Sequence, residues 1–337
     1  MRYLAVLLAL HLQPVSPTAA NRQPQFAAAN GTVALVFGSG ESIWLSRSTD
    51  NGATFTAPAK VADLPKMLLG RHRGPRIAIA GKTMVVTAIS GDLYAWRSTD
   101  GGLSWSKAVV VNDKPNASRE GLDALAADSD GRLAVAWLDD RTPGGKRLYG
   151  AFSDDAGAHW SKNVLLYESP SGTICQCCAP SLAALGGGEF AVMWRNVVEG
   201  SRDLYTMRIR NGKPAGPAVK SGTGTWKLDA CPMDGGGVAV RNGELFAAWR
   251  RDHDVYLAEP GKPEIDLGAG MDVGFAVNAK GSYAVWTTPG GIEAHVPGSS
   301  APVRISPSGA FPALVALPDG GMLAAWEENG AIAFHRF

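Results

Sequence analysis

The sequence has few charged residues, few cysteines and no apolar run long enough to cross a membrane. Charged residues make up 19% of its 337 residues, and the formal net charge is +1. A nearly neutral chain without blocks of like charge is not expected to bind nucleic acid. No stretch shows the apolar period of an amphipathic helix, so we expect an all-β fold. A hydrophobic content of 45% is typical of a globular protein with a large core.

The short apolar run at the N-terminus is typical of an export signal. Arg2 gives a positive start, residues 4–12 are mostly apolar, and residues 18–20 (Thr-Ala-Ala) form a small-residue cleavage site. The run is too short to span a bilayer. We therefore predict a signal peptide over residues 1–20 that is cleaved at its end. The mature part, residues 21–337, is then a single domain in the periplasm or outside the cell.

A short pattern, Ser-x-Asp-x-Gly-x-x-aromatic, occurs in residues 48–55, 98–105 and 153–160. Its nearly constant period is typical of propellers and solenoids. The Asp carboxylate can accept hydrogen bonds from backbone N–H groups of its own turn, and the Gly permits a positive φ. We interpret the pattern as a structural hairpin turn, here called the Ser-Asp turn, which is closed by a buried aromatic ring. Its structural positions are Asp50, Gly52, Asp100, Gly102, Asp155 and Gly157.

A broader repeat divides the chain into seven units. Each unit has an apolar strand that ends in a marker residue, with a shorter strand on either side, which matches propeller blades of about four strands. The last three units are shorter, and we expect them to lack the outer strand. We predict a single β-propeller with seven blades, with six blades as the alternative. The marker residues are Phe37, Ala88, Trp137, Trp194, Trp249, Trp286 and Trp326.

The Ser-Asp turn resembles the Asp-box, or BNR repeat, of the sialidase superfamily, whose members are β-propellers. This resemblance implies six blades and a glycoside hydrolase of the exo-α-sialidase type. Such enzymes hold the substrate carboxylate with three arginines and use a Tyr nucleophile helped by a Glu. Residues 137–141 (Trp-Leu-Asp-Asp-Arg), 175–178 (Cys-Gln-Cys-Cys) and 231–235 (Cys-Pro-Met-Asp-Gly) resemble a cysteine-bearing group of exported sialidase-like proteins.

The predicted propeller places the segments before each innermost strand and the turns after each marker residue on one face. The Ser-Asp turns lie on the opposite face. Loops at such a channel mouth usually carry function. Arg73, Arg76, Arg195 and Arg250 lie on this face, and their guanidinium groups are suited to clamping an anion. The alternative is that these arginines form ordinary surface ion pairs.

All cysteines fall in two of these mouth segments: they are Cys175, Cys177, Cys178 and Cys231. In an exported protein, disulfides are the default, and three full pairings are possible. The sharper alternative is a soft-metal site for copper or zinc, because the Cys-x-x-Cys spacing of Cys175 and Cys178 is common among metal ligands. Met233 and Met271 could add thioether ligands. A redox-active thiol is the third alternative.

Hydrolysis would need a nucleophile and an acid at the same mouth. The mouth segments contain no Tyr, so the candidates are the carboxylates of Asp123, Asp139 and Asp234. The leading interpretation is an exported, monomeric, sialidase-like propeller that binds a small anionic or glycan-like ligand without classical sialidase hydrolysis. One alternative is a periplasmic copper or zinc thiolate protein. The other is an active exo-α-sialidase or another glycoside hydrolase.

Overall fold

A computed structural model describes residues 11–337, which form strands and turns and contain no helix. Accordingly, no membrane-spanning helix is found among these residues. The strands form seven sheets, each with four antiparallel strands. The innermost strands of neighbouring sheets contact one another in turn, and the last contacts the first, so the ring closes around a central channel. The fold is a seven-bladed all-β propeller, which confirms the predicted fold class and decides against six blades.

Four blades follow one another in the first two thirds of the chain, after a short strand β1 (His11–Leu12). Each runs from the channel outward. Blade 1 contains β2 (Arg22–Ala29), β3 (Thr32–Ser39), β4 (Ser42–Ser48) and β5 (Ala59–Asp63). Blade 2 contains β6 (Arg76–Ala80), β7 (Thr83–Ser90), β8 (Asp92–Ser98) and β9 (Val109–Val110). Blade 3 contains β10 (Asp123–Ala127), β11 (Leu133–Asp139), β12 (Arg147–Ser153) and β13 (Val164–Tyr167). Blade 4 contains β14 (Ser181–Gly186), β15 (Glu189–Arg195), β16 (Leu204–Arg210) and β17 (Lys213–Lys220).

The last three blades also have four strands, which corrects the expectation that their outer strands are missing. Blade 5 contains β18 (Gly236–Arg241), β19 (Glu244–Arg251), β20 (Asp254–Ala258) and β21 (Ile265–Ala269). Blade 6 contains β22 (Met271–Asn278), β23 (Gly281–Thr288), β24 (Gly291–His295) and β25 (Val303–Ser306). Blade 7 contains β26 (Ala310–Ala316), β27 (Met322–Glu328) and β28 (Ala331–Arg336). Its outermost strand is β1, which pairs with β28 from the other end of the chain.

The segment around β1 is tied to the propeller by Asn21. The buried Asn21 side-chain amide donates hydrogen bonds to the carbonyls of Leu12 and Gln13, at 3.2 and 3.0 Å. The predicted signal peptide covers this segment and residues 1–10, and the latter lie outside the described residues. Export and cleavage after Ala20 stay predictions. Such cleavage would leave blade 7 with three strands.

The second strand of each blade explains how the blades pack. Such a strand is covered on both faces by neighbouring strands and blades, so it is apolar without alternation, as in β11, where every residue is buried. Its marker Trp is at most 2% exposed in blades 3 to 7. Trp194 of blade 4, for example, packs with Leu138 and Leu148 of blade 3. The apolar core is therefore continuous from blade to blade.

The Ser-Asp turns connect the third and fourth strands of blades 1 to 3. In the second turn, the Ser98 hydroxyl donates to Asp100 at 2.7 Å and accepts the Gly102 N–H at 2.8 Å. The Asp100 carboxylate also accepts the backbone N–H of Ser104 at 3.0 Å. The equivalent bonds recur around Asp50 and Asp155, and their hydrogen bonds lower the pKa of each carboxyl to about 2. The turns are closed by these local bonds and lie away from the channel mouth.

The glycine of this turn makes a matched test of its packing role. Gly102 has φ +86°, and a Cβ there would lie 2.5 Å from Cδ2 of the buried Leu45 in blade 1. Gly101 has a similar φ of +73°, but its nearest neighbour would be Arg47 Nη1 at 3.5 Å. Because the backbone cost is shared, we expect Gly102→Ala to lower the free energy of unfolding by about 1–3 kcal/mol more than Gly101→Ala. Urea unfolding of both variants measures this difference, and equal losses would contradict it.

Candidate functional site

The channel mouth is the face formed by residues 71–76, 120–123, 175–180 and 231–235, together with the turns that follow β15 and β19. A cavity of about 170 Å³ opens there between the innermost strands. His72, Arg76 and Asp234 are its ionisable lining residues. Connections from distant parts of the sequence meet at this face because the ring is closed. This face therefore brings together the segments that the sequence analysis assigned to it.

The four cysteines form one cluster at this mouth. Cys177 and Cys231 form a disulfide that joins the segment before β14 to the segment before β18, across blades 4 and 5. Cys175 and Cys178 are free thiols, and both are almost completely buried. Their sulfur atoms lie 3.5 Å apart, and Cys175 Sγ lies 3.8 Å from Cys177 Sγ. The arrangement combines one disulfide with one buried dithiol.

The surroundings of Cys175 favour its thiolate. The Cys178 thiol donates a hydrogen bond to Cys175, and the nearby Arg195 and Arg202 add positive charge, so the pKa of Cys175 falls from 9.0 to about 6 despite its burial. Arg202 Nη1 lies 3.3 Å from the sulfur. Burial raises the pKa of Cys178 well above its ordinary value, and the Cys175 thiolate raises it further. The surroundings therefore favour the negative charge on Cys175 and the proton on Cys178.

This asymmetry gives a pH-dependent optical signal. We expect the thiolate absorbance near 240 nm of the metal-free protein to rise with a midpoint near pH 6, where Cys175 ionises. Since the folded pKa is depressed, the thiolate stabilises the fold fully above pH 9.0 and loses this contribution as the pH falls through about 6. The Cys175→Ala variant should lose the step, and Arg202→Met should move its midpoint upward. A single step near pH 9 would contradict the expected ionisation.

Arg195 is buried beside the cysteine cluster. Its side chain is 1% exposed, and it donates hydrogen bonds to the carbonyls of Arg202 and Arg250, at 2.8 and 3.0 Å. Its guanidinium carbon lies 5.2 Å from the ring centroid of the buried Trp226, and that of Arg250 lies 5.4 Å from the same ring. Trp226 thus contacts two cations through its ring. The predicted pair Arg195 and Arg250 is therefore brought together. Arg195 Nε is buried and has no hydrogen-bond partner among the described residues.

A second ionisable cluster adjoins the sulfur cluster and contains His72, Asp234 and Asp272. His72 Nε2 lies 2.9 Å from Asp272 Oδ1, and the Asp272 N–H donates to Asp234 at 3.1 Å. Burial lowers the pKa of His72, but the hydrogen bond to Asp272 and the charges of both carboxylates outweigh it and raise the pKa. Burial raises the pKa of Asp234, whose Oδ1 has no hydrogen-bond partner among the described residues. Arg250 Nη1 lies 3.8 Å from its other oxygen.

The remaining predicted site residues contact other parts of the protein. Arg73 Nε donates to the carbonyl of Glu120 at 2.6 Å. Arg76 donates to four backbone carbonyls, including that of Asp123 at 3.0 Å. The buried Asp123 carboxylate accepts the Thr87 hydroxyl at 2.7 Å, and burial raises its pKa. These side chains fix the start of blades 2 and 3 and direct few donors to the cavity.

Asp139 lies apart from the cavity. Its carboxylate accepts the Trp137 indole N–H at 2.8 Å and the Arg141 guanidinium at 2.9 Å. Met233 packs against the cysteine cluster, whereas Met271 is 43% exposed. Among the predicted residues, the structure thus gathers the cysteines with Met233, Asp234, Arg195 and Arg250.

Sequence reasoning missed the roles of Arg202, Trp226 and Asp272. The sequence places Arg202 beside Asp203, which favours a surface ion pair, but its guanidinium reaches Cys175 and the Leu228 carbonyl instead. Trp226 lies outside the repeated strands and is not a marker residue. A Trp outside that pattern was the only feature of the sequence that could have pointed to its role. Asp272 has a φ of +58°, which turns the backbone between blades 5 and 6 and aims its N–H at Asp234.

Comparisons with known proteins establish the fold type. No protein-family model matches the chain, and no curated protein matches it. Among solved structures, it is similar to an ulvan lyase bound to a -[GlcA(1-4)Rha3S]- saccharide, with a TM-score of 0.61 and 9% identity over 97% of this chain and 95% of that one. It is also similar to the intramolecular trans-sialidase from Ruminococcus gnavus, with a TM-score of 0.56 and 11% identity over 97% and 96% of the two chains.

A third similar structure is the Hadza microbial sialidase Hz136. The TM-score is 0.53 and the identity 15%, over 94% of this chain. The match spans 65% of the length of that sialidase. At these identities the similarity shows a shared architecture, so the chain has a sialidase-like β-propeller fold.

Proposed function

We propose that this propeller binds Cu(I) through the thiolates of Cys175 and Cys178. The observation that carries the proposal is a pair of free, buried thiols 3.5 Å apart, at the spacing Cys-x-x-Cys, at the channel mouth. Thiolate sulfur is a preferred ligand of Cu(I) and of zinc. The buried position excludes most competing oxygen ligands. Either ion would be held by the two thiolates, and the number of ligands decides between copper and zinc.

Ligand number favours copper over zinc at this site. Structural zinc is almost always bound by four N or S ligands in a tetrahedral arrangement. With Cys177 and Cys231 in a disulfide, the chain offers two free thiols. Met233 packs against the cluster, and its thioether sulfur accepts a hydrogen bond from Arg71 Nη1 at 3.3 Å. Turned toward the thiolates, this sulfur would supply a soft third ligand, which suits Cu(I) better than zinc.

The charges around the site support the same ion. Two thiolates with one Cu(I) carry a net charge of −1, and burying an uncompensated charge is costly. Arg202, whose Nη1 lies 3.3 Å from Cys175 Sγ, and the buried Arg195 compensate that charge. A zinc dithiolate is neutral and would leave the Arg202 guanidinium without a counter-charge at the metal. The arginines are therefore proposed as charge partners of the bound metal.

A Cu(I) titration of protein purified without metal and without oxygen tests the proposal. We expect one Cu(I) per chain in competition with a chromogenic chelator such as bicinchoninate. Cys175→Ala or Cys178→Ala should weaken binding by more than about a hundredfold, and Met233→Leu by about tenfold. Met271→Leu is the matched control, because its side chain is 43% exposed, and it should bind like the unchanged protein. Equal affinity in the Cys175→Ala/Cys178→Ala double variant would overturn the assignment.

A second candidate function is binding of a small anionic or glycan-like ligand in the adjoining cavity, without hydrolysis. His72, Arg76 and Asp234 line this cavity, and Asp234 Oδ1 lacks a hydrogen-bond partner among the described residues, so this oxygen is available to a ligand. The cavity has no lining Tyr to serve as a sialidase nucleophile. Calorimetric titration with a panel of acidic sugars tests the binding. A fluorogenic sialoside tests hydrolysis, and turnover abolished by Asp234→Asn would favour the hydrolase alternative.

The chain is further proposed to act outside the cytoplasm as a monomer. The support is the N-terminal signal pattern, and a disulfide persists in an oxidising compartment. Cell fractionation followed by N-terminal sequencing tests export, and light scattering tests the oligomeric state.

A further inference from the structure

We propose that the buried Cys175 and Cys178 dithiol exchanges with the Cys177–Cys231 disulfide and so delivers two electrons to the protein surface. The proposal goes beyond metal binding and concerns the metal-free protein. It rests on the order of four sulfur atoms. Cys175 Sγ lies 3.5 Å from Cys178 Sγ and 3.8 Å from Cys177 Sγ, and Cys177 is bonded to Cys231. The four sulfur atoms therefore form a row in the order Cys178, Cys175, Cys177 and Cys231.

The row of sulfur atoms has a buried end and an exposed end. Cys175, Cys177 and Cys178 are buried, whereas Cys231 at the other end of the disulfide is exposed. A disulfide outside the protein can therefore reach Cys231, while the dithiol is shielded. The Arg202 guanidinium next to Cys175 Sγ favours the negative charge on the sulfur that begins the exchange. The partner class is an accessible disulfide, in a protein or a small molecule.

The exchange balances without an added oxidant. The Cys175 thiolate attacks Cys177 Sγ, so the Cys175–Cys177 bond forms, the Cys177–Cys231 bond breaks, and Cys231 leaves as a thiolate. The Cys178 thiolate then attacks Cys175 Sγ and releases Cys177. The Cys175 thiolate enters the exchange without a proton, so only the Cys178 proton is released, and it is taken up by the outer pair, which is left with one thiolate and one thiol. The buried pair is oxidised by two electrons, and the outer pair is reduced by the same two.

The outer pair can then reduce an external disulfide. The Cys231 thiolate attacks it and forms a mixed disulfide, and Cys177 resolves that bond by restoring Cys177–Cys231. The external disulfide leaves as two thiols, and the protein ends with both pairs oxidised. The buried thiols of Cys175 and Cys178 would thus reduce an external disulfide through the exposed sulfur of Cys231.

The test uses 5,5′-dithiobis(2-nitrobenzoate), an external disulfide, on native metal-free protein. We expect release of two thionitrobenzoate ions per chain, equal to the two free thiols. In the Cys177→Ala/Cys231→Ala variant, the buried thiols have no exchange partner, and the native rate should fall by about tenfold or more. Loosening of the fold in that variant would raise the rate, so a fall is specific. An unchanged or faster rate in the variant would overturn the proposal.

A positional readout uses Cys178→Ala, which stops the exchange after its first step. We expect peptide mapping to find the thionitrobenzoate group on Cys231 and a bond between Cys175 and Cys177. Label on Cys175 with Cys177–Cys231 intact would contradict the exchange. Because no metal is present, failure here leaves the Cu(I) titration unaffected, and failure of that titration leaves this result unaffected.

Discussion

Arg195→Met is expected to lower the free energy of unfolding by about 3–5 kcal/mol, the cost of breaking a buried ionic network by removing one member. The Arg195 side chain is 1% exposed and donates to the carbonyls of Arg202 and Arg250. Its charge also lies near the Cys175 thiolate and the buried Asp234. The variant leaves two carbonyls without donors and these negative groups without compensation. Urea unfolding followed by Trp fluorescence measures the loss.

A matched control separates burial from charge. Arg210 lies at the end of β16, its side chain is 62% exposed, and it pairs with Glu189 at 2.6 Å. Exposed ion pairs contribute little, so Arg210→Met should cost less than about 1 kcal/mol. The thiolate midpoint of Cys175 should rise in Arg195→Met and stay near pH 6 in Arg210→Met. Similar losses in both variants, or an unmoved midpoint in Arg195→Met, would contradict the role given to Arg195.

Replacing both disulfide cysteines is expected to cost on the order of 4 kcal/mol, because the bond closes a loop with a sequence separation of 54 residues. The Cys177→Ala/Cys231→Ala variant frees this loop, which contains blade 4, in the unfolded chain. With a urea dependence of about 3 kcal/mol per molar, the unfolding midpoint should fall by about 1 M. The measurement is made without reductant.

The control deletes the same number of sulfur atoms without opening a covalent loop. Cys175→Ala/Cys178→Ala removes two buried thiols, for which we expect a loss of about 2 kcal/mol or less. Reductant should lower the midpoint of this control variant and leave that of Cys177→Ala/Cys231→Ala unchanged. If the reductant acts equally on both variants, the disulfide does not join Cys177 to Cys231.

The fold was predictable because each repeat has the same local pattern of apolar and turn residues. The apolar strand and its marker residue recur in every blade, since each blade buries the same strand between its neighbours. Trp137, Trp194 and Trp326 are buried for this reason. The outer strands were harder to predict. They are short and half exposed, as β9 (Val109–Val110) is, and a strand without a buried face leaves little pattern in the sequence.

Blade 7 shows a different limit. Its fourth strand is β1, which is separated from β28 by nearly the whole chain, and the two residues of β1 lie in a segment whose composition indicates an export signal. A pairing between chain ends has no local signature, because neither turn residues nor spacing connect the partners.

The candidate site was predictable as a location and less so as a set of contacts. The blade order placed Cys175, Cys178 and Cys231 on one face, and the structure brings them together. The pairing depended on distances of a few ångströms between loops of two blades, which no residue pattern encodes. The interpretation of the arginines as an anion clamp stays a prediction. The bonds that Arg76 and Arg195 donate to backbone carbonyls could not be predicted, because carbonyls are present at every residue and leave no trace in the sequence.

The most direct test of the account is a non-reducing peptide map of metal-free protein that is denatured in the presence of an alkylating agent. The central claim is that the closed ring places a free dithiol beside a disulfide between blades 4 and 5. The predicted result is alkylation of Cys175 and Cys178 and a cross-link between Cys177 and Cys231, assigned by fragmentation. A map in which all four sulfurs are paired, or in which the cross-link joins Cys231 to Cys175 or to Cys178, would contradict the claim.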